Sequence, residues 1–215
     1  MKSLAEKPSR RQPRASNGKH RRVSEEEFLA LYGGEDDRAE WVDGEVIEMS
    51  PARRDHNNTI QFISTVLQGV AERSSRGDVF IIEFLARLQT PPSLRHPDIA
   101  YVSASRAAII QDTYIDGAPD LIVEVTEPDS MSRDFREKFW DYESAGVREY
   151  WIVNPGNQKL EAYRLERGKF VAIPERQGRV TSHVVKGFYL KPEWLWQRPL
   201  PSALKVLREM GVIKG

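Results

Sequence analysis

Five consecutive residues, Leu121-Ile122-Val123-Glu124-Val125, restrict the fold of this chain more than any other feature. Four of them are branched aliphatics and none offers a polar face to water. Such a run reads as a central strand covered on both sides, which calls for a sheet with helices packed on it. Glu124 breaks the pattern. An ionised carboxylate removed from water costs on the order of several kcal/mol unless a cation or hydrogen bonds compensate. Either Glu124 is part of a functional site, or it is held in a salt bridge to Arg87, Arg95 or Lys138.

The surrounding sequence supplies the rest of such a fold. Ser24 and Glu27 have capping-box spacing, with Val23 and Phe28 at the positions of a hydrophobic staple, so a short helix to Tyr32 is expected. Residues 40–50 alternate around Asp43-Gly44, a pair suited to a tight hairpin turn. Over residues 55–73, Ile60, Ile63, Val66, Leu67 and Val70 recur at helical spacing, which predicts an amphipathic helix lying on a sheet. Strands are expected at 79–84, 98–102 and 120–126, with Pro91-Pro92 and Pro97 as breaks before the second. A helix over 132–145, closed by Gly146, leads to a strand at 149–153 that Asn154-Pro155-Gly156 ends. The order helix, three strands, helix, strand emerges. Residues 160–164, 170–173 and 180–185 suggest a small antiparallel extension, and 202–210 a surface helix.

Composition sets outer limits. A chain of 215 residues, 40% hydrophobic, suits one domain with appendages, and its absence of cysteine excludes disulfides, thiolate zinc sites and cysteine nucleophiles. No apolar run reaches the roughly 18 residues of a membrane span, and no secretory leader is apparent, so a cytoplasmic protein is expected. The formal net charge is zero, yet residues 1–22 hold eight Lys/Arg against one acid, which makes that stretch +7 and the remainder −7. The chain divides into a disordered basic tail (1–22), a folded domain (23–195) and a C-terminal surface helix (196–215). The tail reads either as an electrostatic arm for phosphates or as a solubilising leader.

Asp98 follows Pro97 at the start of an apolar strand, where a strand beside that of Glu124 could bring the two carboxylates together. Paired carboxylates suit a hard cation such as Mg²⁺. Lys138 shares a helical stripe with Asp134 and Tyr142, from which its ammonium could reach the sheet edge; a surface pair with Asp134 is the bland alternative. His56 opens the long helix, either as a phosphate or metal contact or as a cap. His20, His96 and His183 are scattered without ligand spacing. No phosphate-binding glycine loop and no nucleophile elbow is present. Trp140, Trp151, Trp194 and Trp196 could stack on bases, although core or rim packing is the commoner use of such residues.

The stretches EWVDGEVIEMSP (40–51), His56, RHPDIAYV (95–102) and PDLIVEV (119–125), followed by Asp134, Lys138, Tyr142, Gly146-Val147 and Glu149-Tyr150-Trp151, resemble the bacterial "putative restriction endonuclease" family. That family belongs to the PD-(D/E)xK nuclease superfamily, and the resemblance spans residues 24–190. It implies an α/β (mixed α+β) restriction endonuclease-like αβββαβ core. It further implies Asp98 and Glu124 as metal ligands and Asp98, Glu124 and Lys138 as the catalytic set, with Glu40, His56, Glu83 and Tyr142 as accessory candidates. The superfamily pattern places lysine two positions after the acid, where this chain has Thr126, so the resemblance transfers the lysine's role to Lys138. Glu127 stands where the family has a small polar residue.

The expected function is therefore a Mg²⁺-dependent endonuclease, with Mn²⁺ as an alternative metal and nucleic acid, DNA in particular, as partner. Symmetric cuts in duplex DNA would be made most simply by a homodimer. Arg53, Arg54, Arg73 and Arg76 around the long helix form the candidate basic patch. Two other classes fit the same residues: a catalytically silent nucleic-acid-binding module, and an interaction protein whose acids and lysine form a structural ion-pair network.

Overall fold

A computed structural model describes residues 22–32, 39–49, 53–75, 77–81, 84–126 and 134–214. Most of the basic tail, together with Glu83, Glu127 and Arg76, lies outside the described residues. Helix α1 (Glu25–Tyr32) leads into the hairpin β1 (Ala39–Val42) and β2 (Glu45–Glu48), then the long helix α2 (Arg54–Val70) and a short π-helical turn. Next come β3 (Gly77–Ile81), β4 (Leu85–Gln89), β5 (Pro92–Arg95), β6 (Ile99–Ser103), β7 (Tyr114–Asp116) and β8 (Leu121–Val125). Helix α3 (Asp134–Ala145) and β9 (Glu149–Asn154) complete the core. The extension comprises β10 (Lys159–Glu166), β11 (Lys169–Ala172), β12 (Val180–Thr181), β13 (Tyr189–Leu190), α4 (Pro192–Trp196) and α5 (Ala203–Glu209).

Local chemistry accounts for the first elements. The Ser24 hydroxyl accepts from the Glu27 amide at 3.1 Å while Glu27 accepts from the Ser24 amide at 3.1 Å, the reciprocal pair of a capping box. Val23 packs against the cluster formed by Phe28, Ala39, Trp41 and Leu94. Asp43 (φ 44°) and Gly44 (φ 93°) both take the left-handed region, as a two-residue hairpin turn of this hand requires.

The central sheet has the strand order β11-β10-β9-β8-β6-β3, with β8 and β9 parallel and the other pairs antiparallel. The expected αβββαβ core is therefore α2, β3, β6, β8, α3 and β9. Leu121 to Val125 is buried along its full length. Its odd-numbered residues face α2, where Ile60, Ile63, Val66, Leu67 and Val70 cover them together with residues from the extension. Ile122 faces the other way, into a cluster with Tyr142, Val147, Tyr150 and Ile152. Because a strand alternates its side chains, Glu124 shares that second face and points towards α3. Helix α3 stops at Gly146 (φ +87°), where the Val147 amide donates back to the Tyr142 carbonyl at 3.0 Å.

A second sheet, β2-β1-β5-β4-β7, was not foreseen as a whole. The expected break at Pro91-Pro92 is the turn of the β4–β5 hairpin. Pro92 is the first residue of β5, a position where the missing amide donor is tolerated. This sheet carries Glu40 and Arg95 to the site. On the opposite face, α5 lies on α2 with Val206 and Leu207 buried. A Cβ on Gly69 would sit 2.8 Å from the Leu207 side chain. Among the described residues, no helix is long and apolar enough to cross a membrane.

Candidate active site

Strand pairing brings the two proposed ligands together. Ile99 lies opposite Val123 in the antiparallel β6–β8 ladder. Asp98 immediately precedes β6 at that end of the ladder, near enough for its charge to act on Glu124. Asp98 Oδ2 accepts the Val125 amide at 2.7 Å, which fixes its carboxylate at the end of β8. Its Oδ1 lies 3.3 Å from His56 Nε2 on the first turn of α2. His56 thus reaches the site directly rather than serving as the N-cap, which falls at Arg53.

Lys138, Asp141 and Tyr142 lie at i, i+3 and i+4 on α3, and all three are buried against the sheets. The Lys138 ammonium sits 3.0 Å from Glu40 Oε1 and 3.4 Å from Glu124 Oε1. The Tyr142 hydroxyl donates to the same Glu124 oxygen at 2.8 Å. Thr126, at the position where the superfamily pattern has its lysine, turns its backbone amide to the Val153 carbonyl at 2.8 Å. The ammonium nearest Glu124 is instead that of Lys138, arriving from the helix.

Sequence reading left two members of this cluster unassigned. Arg95, fully buried, entered only as a salt-bridge candidate for Glu124, and Asp141 had not been singled out. Arg95 donates through Nη1 to Glu40 Oε2 at 2.7 Å and through Nη2 to Asp141 Oδ2. Arg87 belongs elsewhere, paired with Glu25 at 2.8 Å. Asp98, Glu124, Lys138, Glu40, His56 and Tyr142 therefore converge, whereas Glu83 lies outside the described residues. Trp151 and Trp194 are buried core residues, while Trp140 is 56% exposed. Arg53, Arg54 and Arg73 are exposed.

The electrostatics separate the two glutamates. Burial pushes the Glu124 carboxyl up to about 8; the Lys138 ammonium and Tyr142 hydroxyl oppose that rise, and the charges of Asp98 and Glu40 add to it. Burial also acts to raise Glu40, yet the Lys138 and Arg95 cations outweigh it and hold that carboxyl at about 2. At Glu124 burial outweighs the nearby cation, whereas at Glu40 two cations outweigh burial.

These shifts have opposite consequences for stability. The folded protein binds a proton at Glu124 that the unfolded chain releases near the ordinary value of 4.5, so this contribution is full below about 4.5 and is lost as pH rises towards about 8. The contribution of Glu40 is lost only as pH falls from 4.5 towards about 2, outside that window. Any cation bound at Glu124 competes with its proton. The rise in melting temperature on adding Mn²⁺ is accordingly expected to be larger at about pH 8 than at about pH 6, with proton uptake on chelation. An equal rise at both pH values would disconnect Glu124 from metal binding.

Among the described residues, no group of three or more His, Asp or Glu side chains forms a ready-made metal cage. The donor set still fits a hard divalent cation. Asp98 and Glu124 supply two neighbouring carboxylates, and Mg²⁺ retains several waters instead of demanding an all-protein cage.

The fold is that of an α+β protein with a restriction endonuclease-like core. The chain belongs to the Uma2 family, described as "Putative restriction endonuclease", whose model matches residues 25–193. Among solved structures it is similar to a "putative nuclease belonging to DUF820" from Anabaena variabilis ATCC 29413. The TM-score is 0.68 at 18% identity, covering 81% of this chain and 97% of the other. No curated protein matches.

Proposed function

We propose that this protein is a metal-dependent nuclease of the PD-(D/E)xK type, with Asp98, Glu124 and Lys138 as catalytic residues and DNA as the substrate. The observation that carries the reading is the convergence of two carboxylates and one lysine at the end of β8, where Glu124 is buried. The family description supports nucleic acid as the substrate.

Asp98 and Glu124 would hold Mg²⁺ or Mn²⁺. The cation supplies a Lewis acid for the phosphate oxygens and makes water more acidic. In hydrolysis, the oxygen of water bonds to phosphorus as the bond from phosphorus to the leaving sugar oxygen breaks, and that oxygen takes up a proton. Lys138 offers a fixed positive charge to the negative charge that builds on the phosphate oxygens. Tyr142 holds the Glu124 carboxylate in place through its hydroxyl. His56 does the same for Asp98. The exposed Arg53, Arg54 and Arg73 around α2 offer phosphate contacts in an otherwise acidic domain. A two-fold dimer would present two such sites to the two strands of a duplex.

Purified protein is expected to nick supercoiled plasmid with Mg²⁺ or Mn²⁺ and to stop when EDTA is added. One observation favours a different reading: Lys138 is already paired with both glutamates, as in a structural ion network. A folded protein that binds DNA with strong salt dependence, cleaves nothing and does not respond to metal in melting experiments would establish that reading instead.

A further inference from the structure

The Lys138 side chain is long and rich in rotamers, so a fixed ammonium needs something to hold it. Its ammonium stands closer to Glu40, at 3.0 Å, than to Glu124, at 3.4 Å. Glu40 is itself immobilised from three directions. Its Oε2 receives the Arg95 guanidinium at 2.7 Å, and its Oε1 receives the His96 amide at 3.1 Å as well as the Lys138 ammonium. Both oxygens are therefore committed, and Glu40 could join a metal only by releasing its cations.

The other end of the Arg95 fork holds Asp141, one turn beyond Lys138 on α3. The path Lys138, Glu40, Arg95, Asp141 and back along α3 is a closed ring. Arg95 is also the first residue of Arg95-His96-Pro97-Asp98, the segment that delivers Asp98 to the site. One buried guanidinium thus ties the strand end carrying one functional group to the helix carrying another.

We propose that Glu40, clamped by Arg95, is a positioning residue that holds the Lys138 ammonium at a fixed distance from Glu124. The effect on cleavage rests on the nuclease reading above; the effect on Lys138 itself does not. Glu40 acts through Lys138 and touches no reacting atom. Removing its carboxylate frees the lysine to swing away or to collapse onto Glu124.

The test uses the full-length protein as wild type, Glu40→Gln, Glu40→Asp, Lys138→Met and Glu40→Gln/Lys138→Met, with melting temperatures recorded for each. The first readout is the ¹H–¹⁵N resonance of the buried lysine ammonium, assigned by its absence in Lys138→Met. It is expected to shift or vanish in Glu40→Gln. In Glu40→Asp, which keeps the charge but shortens the reach by one methylene, it is expected to shift partway. Should Glu40→Gln fail to fold, Glu40→Asp carries the same readout. The second readout is cleavage. Glu40→Gln is expected to lose about 10- to 100-fold in kcat with little change in KM, the usual cost of removing a residue that orients a working group. It is expected to cause no further loss in the Lys138→Met background.

An unchanged ammonium resonance in a folded Glu40 variant overturns the proposal, as does a Glu40→Gln loss that persists undiminished without Lys138. If the wild type cleaves nothing, the nuclease reading fails, and the ammonium resonance still decides whether Glu40 positions Lys138.

Discussion

Glu124→Gln protein is expected to leave supercoiled plasmid intact under conditions where the wild type nicks it, with a rate loss of at least roughly 10³-fold and no loss of fold. Glutamine retains the shape of the side chain and an oxygen to accept the Tyr142 hydroxyl, so packing at β8 is preserved. What disappears is the charge. In the metal-free protein that charge is opposed by burial and by Asp98 and Glu40, and its removal should leave the melting temperature at about pH 8 unchanged or higher. Stability and activity therefore move in different directions, a separation that simple unfolding cannot mimic. Asp98→Asn behaves in the same way, because asparagine can still accept the Val125 amide while offering no anion. Lys138→Met removes the third member. Cleavage by Glu124→Gln at the wild-type rate and with the wild-type metal dependence would remove Glu124 from the site and leave its burial to be explained by the Lys138 pair alone.

The sequence disclosed the parts of this site that announce themselves locally. A glutamate inside an apolar strand is conspicuous because the cost of burying it is general, and an aspartate after proline at a strand start is conspicuous for its position. Helical spacing in α2 and the apolar strand runs disclosed the order helix, three strands, helix, strand, and the family resemblance implied the αβββαβ core. The second sheet was less legible. Its β4–β5 hairpin turns through Thr90-Pro91, and Pro92 begins a strand, so residues that organise a hairpin carried the same signature as residues that end one.

Arg95 and Asp141 were hidden for a different reason. Their contacts join residues 55 and 46 positions apart, and nothing in a charged residue's own neighbourhood says which distant partner it will meet. The trace that did exist was helical phase. Asp141 and Lys138 fall on the same face of α3 as the buried Tyr142, where a solvated charge has no place. Two opposite charges on an apolar face signal a buried pairing; they do not name its other end.

Arg95→Ala is expected to be the most destabilising single change in the described structure. The guanidinium is 0% exposed, and its loss leaves Glu40 and Asp141 buried with their common cation gone. Breaking a buried pair from one side costs about 3–5 kcal/mol, because the orphaned charge keeps its desolvation penalty. For a domain of this size that corresponds to a drop of roughly 6 to 20 °C in melting temperature, measurable by calorimetry. Arg95→Lys should fall between, since one ammonium cannot reproduce a fork that spans two carboxylates. The informative comparison is Arg95→Met combined with Glu40→Leu and Asp141→Leu, which removes all three charges and fills their space with apolar atoms. A buried ion cluster is a costly route to stability, so the apolar triple variant should recover most of the lost melting temperature. Its Lys138 would then lack a carboxylate clamp and its cleavage should remain poor, so a stable but inactive triple variant assigns the cluster to function. An Arg95→Ala protein that melts with the wild type would instead mean that water or a rearranged lysine replaces the guanidinium, and the ring linking Asp98 to Lys138 would lose its keystone.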